Sequence, residues 1–297
     1  MRTRSTFRLA LLTGAGVALV LAGAPPSQGA DPFVAGRQST RPVELAASGA
    51  DRALARAADL SRALGLPGVN RRAQRLDDRF EHRIYDEVVA ADSTGREVSI
   101  ARFDLDGKVV MALTLGWQPG RGRAVGRDAA AARGLEFAAA AGLATAGRPI
   151  VAYSAGAGGW SVAWPRIVDG VPALGDGVRI SLWADGSFHG LTRMERPLAA
   201  APSRPIAHVA ARKVAAALVG GRFGSDAEAL RVIATELAWV APNDTWAAER
   251  PDAPAATLRL AWIVRLETSG SLAERLRFVE YWIDAGDGGL LGGDVVE

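Results

Sequence analysis

The sequence predicts an α+β fold in which a helix followed by an antiparallel sheet of three to four strands is used about three times. Three observations predict it. Apolar runs of strand length break at Asp106-Gly107, Asp169-Gly170 and Asp185-Gly186, and Asp and Gly accept the positive φ angles of tight hairpins. A segment with helical spacing or helix-stop signals precedes each set of runs. The stretch Ile150 to Glu195 is echoed by Leu258 to Glu297, with Trp164 and Trp183 of the first matched by Trp262 and Trp282 of the second. The turns set a pitch: Asp106 and Asp185 stand 79 positions apart, Asp185 and Asp284 stand 99 apart, and the surplus matches a Pro-rich loop from Pro242 to Pro254. Periods this long indicate duplicated supersecondary units rather than a solenoid.

Each element follows from its local pattern. Residues 1–30 carry Arg2, Arg4 and Arg8, then an apolar run from Leu9 to Ala22, then small residues at Ala22-Gly-Ala24 and Ser27-Gln-Gly-Ala30. That is the layout of a secretory signal peptide with cleavage near Ala24 to Ala30. The run is shorter than the ~20 residues of a membrane span, and a retained anchor is the alternative. Residues 31–45 are aperiodic, as in a flexible mature N-terminus.

A first, divergent unit takes residues 46–117. Leu45, Ala53, Leu54, Ala57, Leu60 and Leu64 fall at helical spacing, Gly65 and Pro67 stop the helix, and a charged connector runs from Asn70 to Arg83. Strands are expected at Ile84 to Ala90, Glu97 to Leu105 and Lys108 to Leu115. The second unit, 118–200, opens with Asp128 as N-cap of an Ala-rich helix to about Leu143, followed by the Trp-bearing meander. The third, 201–297, has an N-cap at Ser203-Arg-Pro205, a helix from Ile206 to Leu218 closed by Gly220-Gly221, and strands at Leu230 to Ala241, Leu258 to Leu266 and Arg277 to Ile283.

Composition narrows the function classes. At 297 residues and 49% hydrophobic content the chain has ample material for a core. It has no cysteine, so an exported form relies on packing without disulfides. The formal charge of +3 comes from the leader: three of the 35 basic residues lie there with no acid, leaving 32 basic against 32 acidic. A near-neutral remainder has no global field for nucleic acid or anionic lipid, and no nucleic-acid motif occurs.

Candidate chemistry is sparse. His82, His189 and His208 are each alone in their segments, without zinc-ligand spacing. Ala152-Tyr-Ser154-Ala-Gly156 is a loosened nucleophile elbow, but Gly158-Gly159 and a further strand follow it in place of a helix, so it reads as a hairpin. Asp104-Leu-Asp106-Gly107 and Asp284-Ala-Gly-Asp287-Gly288 hint at calcium loops yet lack the twelve-residue ligand pattern, and turn chemistry accounts for both. Gly156 to Gly159 lacks the Lys and Ser/Thr of a phosphate loop. Accordingly no catalytic residue, cofactor or metal is expected. The four strand tryptophans are expected in the core.

The third unit resembles the PepSY domain. The resemblance rests on the helix Ile206 to Leu218, the strand Leu260-Ala-Trp262-Ile-Val, and Tyr281-Trp-Ile-Asp284-Ala-Gly286-Asp-Gly-Gly-Leu290, which is similar to that family's closing strand, Asp-Ala, Gly, strand signature. The second unit matches more loosely through Trp160-Ser-Val-Ala-Trp164, Val178 to Trp183 and Asp185-Gly186. The resemblance implies a cystatin-like helix-on-sheet fold, an extracytoplasmic location, and a regulatory role toward a peptidase by inhibition or assisted folding.

The reading is therefore a secreted, non-enzymatic binding or regulatory module whose partner is an extracytoplasmic protein, with a peptidase as the class the resemblance implies. Two alternatives stand beside it: a carrier of a small apolar or peptide ligand in a helix–sheet groove, and an enzyme with scattered acidic residues. The loop Pro242 to Pro254 is the expected partner-contacting surface, with Trp246 and Arg250 as contact residues. Trp246 has two fates open to it, a plug folded back over the core or a projecting anchor.

Overall fold

The computed structural model describes residues 40–78, 83–116, 122–155, 157–243, 246, 257–274 and 276–296. Strand β1 (Thr40–Val43) comes first, then helix α1 (Ala47–Leu64) and four strands, β2 (Asn70–Asp78), β3 (Arg83–Ala91), β4 (Glu97–Phe103) and β5 (Val109–Thr114). Helix α2 (Arg127–Ala140) precedes β6 (Ile150–Ser154), β7 (Gly159–Val168), β8 (Val171–Trp183) and β9 (Phe188–Met194). Helix α3 (His208–Phe223) precedes β10 (Leu230–Val240), β11 (Arg259–Thr268), β12 (Phe278–Asp284) and β13 (Leu290–Val296). The result is a mostly-sheet, mixed α+β molecule with three long helices among the described residues.

The first two sets of strands share one sheet. β5 pairs antiparallel with β9 through Met111 and Thr192, Ala112 and Leu191, and Leu113 and Gly190, so the strand order runs β1-β2-β3-β4-β5-β9-β8-β7-β6. Side chains on a pleated strand alternate between faces, and the register lines up one apolar row across eight strands: Ala73, Val88, Ala101, Ala112, Leu191, Ile180, Val162 and Val151. All eight join one hydrophobic cluster with α1 and α2, which therefore cover the same face. Helix α1 contributes Ala53, Ala57, Leu60 and Leu64, the stripe its spacing predicts, and Gly65 ends it at φ 69°. Helix α2 lies close because its buried positions are Ala130, Gly134 and Ala138. A Cβ at Gly134 would come within 2.7 Å of Val162 Cγ1.

The last four strands pair in chain order and pack α3 through Ala211, Ala215 and Val219 against Val264, Leu266, Val279, Tyr281 and Ile283. They join the larger sheet where β10 meets β8 in parallel at Trp239 and Ala173. A small cluster of Ala173, Trp239, Leu258, Leu260 and Ala285 fills that joint.

Four local expectations are corrected. The charged connector from Asn70 is strand β2: it pairs with β3 along its whole length, and its polar side chains meet partners there, the Arg75 charge with Asp86 at 2.7 Å and the Gln74 amide with Glu87 at 2.7 Å. Thr40–Val43, within the aperiodic N-terminal stretch, is β1 and pairs with Asp78 to Arg75. Asp128 is not the N-cap of α2; Gly126 holds that place and Asp128 sits in the first turn, where its charge complements the helix dipole. Helix α3 begins at His208 with Ala207 as N-cap, later than Ser203-Arg-Pro205 predicts, and runs through Gly220-Gly221 to Phe223 because Val219 and Phe223 still have core to cover.

Candidate functional site

The segment after β10 is folded against the outer edge of β13. Asn243 acts there as a short extra strand residue: its backbone N–H donates to the Leu291 carbonyl at 2.9 Å, its side-chain amide N–H donates to the Gly293 carbonyl at 2.8 Å, and Gly293 N–H donates to Asn243 Oδ1 at 3.0 Å. Three residues on, Trp246 turns inward and is only 8% exposed. Its indole N–H donates to the Glu280 carbonyl at 2.6 Å. The ring stacks on Tyr281 with centroids 4.9 Å apart and planes 19° from parallel, and the Arg222 guanidinium of α3 lies 4.5 Å above its centroid.

Gly293 makes this seat possible. It stands directly opposite Tyr281 in the β12–β13 ladder, and an added Cβ would collide with the indole nitrogen and the Glu280 carbonyl. Of the two fates open to Trp246, the inward one is observed, so the indole meets a partner only by leaving this seat. Arg250 lies outside the described residues.

The electrostatics of the seat are those of a nearly dry pocket. Burial pushes the Tyr281 phenol above its ordinary range, with the Arg222 charge opposing, and the phenol oxygen has no hydrogen-bond partner among the described residues. Burial also raises the Asp294 carboxyl, with the Glu280 charge adding to the effect and Arg265 opposing it. Glu280 itself is bonded to Arg265 at 2.6 Å. The Trp246 ring is thus held by a stacked phenol and a guanidinium contact.

The other sequence candidates resolve into structural roles. Ser154 Oγ accepts the Ala157 N–H at 3.2 Å across the β6–β7 hairpin. The His189 ring lies tilted against Trp183 with centroids 4.0 Å apart and its Nδ1 lies 3.2 Å from Thr114 Oγ1 at the β5–β9 seam, with burial lowering its pKa. His208 faces Trp262 at 6.1 Å, and His82 lies outside the described residues. Both Asp-rich turns hold an arginine: Arg193 pairs with Asp104, and Arg259 pairs with Asp284 at 2.7 Å. Asp284 Oδ1 also accepts the Gly286 N–H at 2.7 Å, and Gly288 supplies the positive φ of that turn at 77°. Among the described residues, no group of three His, Cys, Asp or Glu is placed to hold a metal ion.

The tryptophans Trp164 and Trp183 are buried, and Trp262 is half-buried with its indole N–H donating to the Ile206 carbonyl at 2.9 Å. The structure adds two features. Asp176, its side chain fully buried, accepts from Arg196 Nε at 2.6 Å, from the Arg196 backbone N–H at 2.7 Å and from Arg166 at 3.3 Å, tying the middle of β8 to the segment leaving β9. The one available signal was the odd polar tripeptide Gly175-Asp176-Gly177 within an apolar strand. An open cleft of about 150 Å³ lies between Ala199 to Pro202 and the β12–β13 turn, lined by Arg259, Leu260, Asp284 and Asp287.

The fold defines the class as an open, mostly antiparallel sheet with helices on it, and no helix among the described residues is long and apolar enough to cross a membrane. No protein-family profile matches the chain, and no curated protein matches it. Among solved structures it is similar to the Bacillus megaterium YpeB C-terminal domain, at 14% identity and a TM-score of 0.46, over 86% of this chain and 99% of that one.

Proposed function

We propose that the chain is a secreted, non-catalytic module of a divergent helix-plus-sheet unit followed by two PepSY-like units, which binds and regulates another extracytoplasmic protein, with a peptidase as the partner class. The observation that carries this reading is local. The three segments of the PepSY resemblance, which lie far apart in sequence, meet in one unit: Trp262 of β11 bonds the Ile206 carbonyl at the head of α3, and the Ile206 N–H donates to Ala285 in the Asp284-Ala-Gly286 turn at 2.7 Å. The recurring order of one helix and four strands supports the relation of the three units. Under α2 and α3 the residues against the sheets are small, Ala130, Ala138, Ala211 and Ala215, so these helices lie close on their strands.

Two measurements test the proposal. Mass spectrometry of the exported protein should find a new N-terminus between Pro25 and Asp31; an intact Met1 on exported protein refutes the secretory leader. The purified chain should change the activity or the refolding yield of a peptidase secreted by the same cell. Unchanged activity and yield at saturating chain refute the regulatory role.

A further inference from the structure

Strands β2 to β5 have two faces, and the helices of the described residues cover one of them. α1 and α2 pack over Val88, Ala101 and Ala112, while α3 packs on the last four strands. The opposite face follows from the period of two: Leu76 stands beside Tyr85, Gln74 leads through Glu87 and Arg102 to Met111, and Val89 leads through Ile100 to Leu113. Among the described residues, these strands pack substantially only on one another, on β1 and β9, and on α1. Yet this face is dry. Leu76 is 4% exposed, Tyr85 2%, Val89 1%, Ile100 5% and Leu113 6%. Glu87 is 1% exposed, its carboxylate accepting from Gln74 at 2.7 Å and from Arg102 at 2.8 Å. A pleated face open to water leaves such side chains exposed, so a further layer lies on them. That layer stops at β5, because Thr192 of β9 continues the Met111 row and is exposed.

Chain length decides which segment can supply the layer. Two short segments outside the described residues border the face, and neither is free to spread over it. Residues 79–82 only join the paired ends Asp78 and Arg83 of the β2–β3 hairpin. Residues 117–121 lead away from β5, since the Gly122 N–H donates to Asp185 in the β8–β9 turn at 3.0 Å. The chain before Thr40 is long enough and arrives at the right place: Thr40 lies opposite Asp78, beside the Leu76–Tyr85 end of the face. Behind the leader this segment is Asp31-Pro-Phe33-Val34-Ala-Gly-Arg-Gln-Ser39. At ~3.3 Å per extended residue, Phe33 can reach about 23 Å from Thr40. β5 stands four strand spacings from β1, about 19 Å. The two large apolar side chains of the segment therefore come at the distance that spans the face.

We infer that residues 31–39 form a strap that crosses the edge of the sheet ahead of β1 and lays Phe33 and Val34 on Val89, Ile100 and Leu113. The sheet is then cored on both sides, by α1 and α2 on one and by the strap on the other. The polar end of the segment, Gln38-Ser39, falls at the sheet edge, where water reaches it. The leader's own apolar run, Leu9 to Ala22, is an unsuitable cover because cleavage would strip the face on export, whereas the strap stays with the mature chain. The strap thus rests on the reading that the leader ends near Ala30, and the mass of the exported N-terminus tests that reading separately.

The experiment compares the full chain with the chain that starts at Asp31, using a dye that fluoresces on apolar surface. Both should bind it weakly and equally. In the chain from Asp31, Phe33→Asp should raise dye fluorescence severalfold and lower the melting temperature by about 5 °C or more, as expected for a lost buried Phe in a chain of this size; Phe33→Leu should keep most of both properties. Because the chain has no cysteine, engineered pairs report the geometry cleanly. Val34→Cys with Met111→Cys should be joined within one chain by a bismaleimide of about 10 Å, the spacing of packed layers. Val34→Cys with Leu135→Cys, exposed on α2 over the other face, should not. Unchanged melting and dye binding in Phe33→Asp, or equal cross-linking of the two pairs, overturns the inference. So does strong dye binding by the chain from Asp31 that the full chain lacks, which assigns the face to the leader, and so does exposure produced by Trp117→Ser but not by Phe33→Asp, which assigns it to the segment after β5.

Discussion

Replacing Trp246 by Ala should cost the fold about 3–5 kcal/mol, the range for removing a large buried aromatic. The components at this site justify placing it there and not lower. The indole is 8% exposed; it loses a buried hydrogen bond to the Glu280 carbonyl, worth about 1 kcal/mol; and it loses the Tyr281 stack and the Arg222 contact, each about 0.5–1.5 kcal/mol beyond area. These overlap and do not simply add to the burial term. For a chain of this size each kcal/mol moves the midpoint by about 2–4 °C, so thermal unfolding followed by circular dichroism should show a drop of roughly 6–20 °C. Gly293→Ala fills the same seat from below and should also destabilise. Because both changes empty or block one seat, the double variant should lose less than the sum of the singles, a coupling read directly from a double-mutant cycle. A Trp246→Ala protein that melts within a degree or two of the parent, or strict additivity with Gly293→Ala, refutes the plug.

The other expectations are simpler. Trp164→Ala and Trp262→Ala should each cost about 3–5 kcal/mol in denaturant unfolding, the first by opening the core under α2 and the second by also freeing the Ile206 carbonyl; a midpoint unchanged in either would place that ring outside the core. Asp176→Ala leaves Arg166 and Arg196 without their buried partner and should cost about 3–5 kcal/mol, whereas a loss under 1 kcal/mol by the same measurement would make the cluster a surface pair in effect. His189 is held below its ordinary value of 6.5 by burial, so below about pH 6.5 the unfolded chain binds the proton more readily than the folded one, and stability falls as pH drops from there through the folded pKa. Melting temperatures between pH 7.5 and 5 should show this decline, and His189→Asn should flatten it; an equal decline in the variant assigns the pH dependence elsewhere.

Local chemistry was enough to read the helices and most of the strands. The Ala53, Ala57, Leu60, Leu64 spacing specifies α1, and Gly65 ends it because a left-handed residue is needed there. Asp106-Gly107 and Asp185-Gly186 mark hairpins for the same reason, with both glycines near φ 80°. These signals act within a few residues, so sequence alone carries them. What sequence could not decide depends on partners distant along the chain. Asn70–Asp78 has too many charges to read as a strand until Asp86 and Glu87 are set beside it. The joining of β5 to β9, which merges two sets of strands under two helices, is a register between segments far apart in the chain, and no periodicity encodes it. Trp246 stands in a Pro-rich loop with no strand pattern around it, and its local sequence is consistent with a plug or an anchor. Its place was decided by Gly293, Tyr281 and Arg222, three residues from three different elements whose proximity exists only once the sheet has closed under α3.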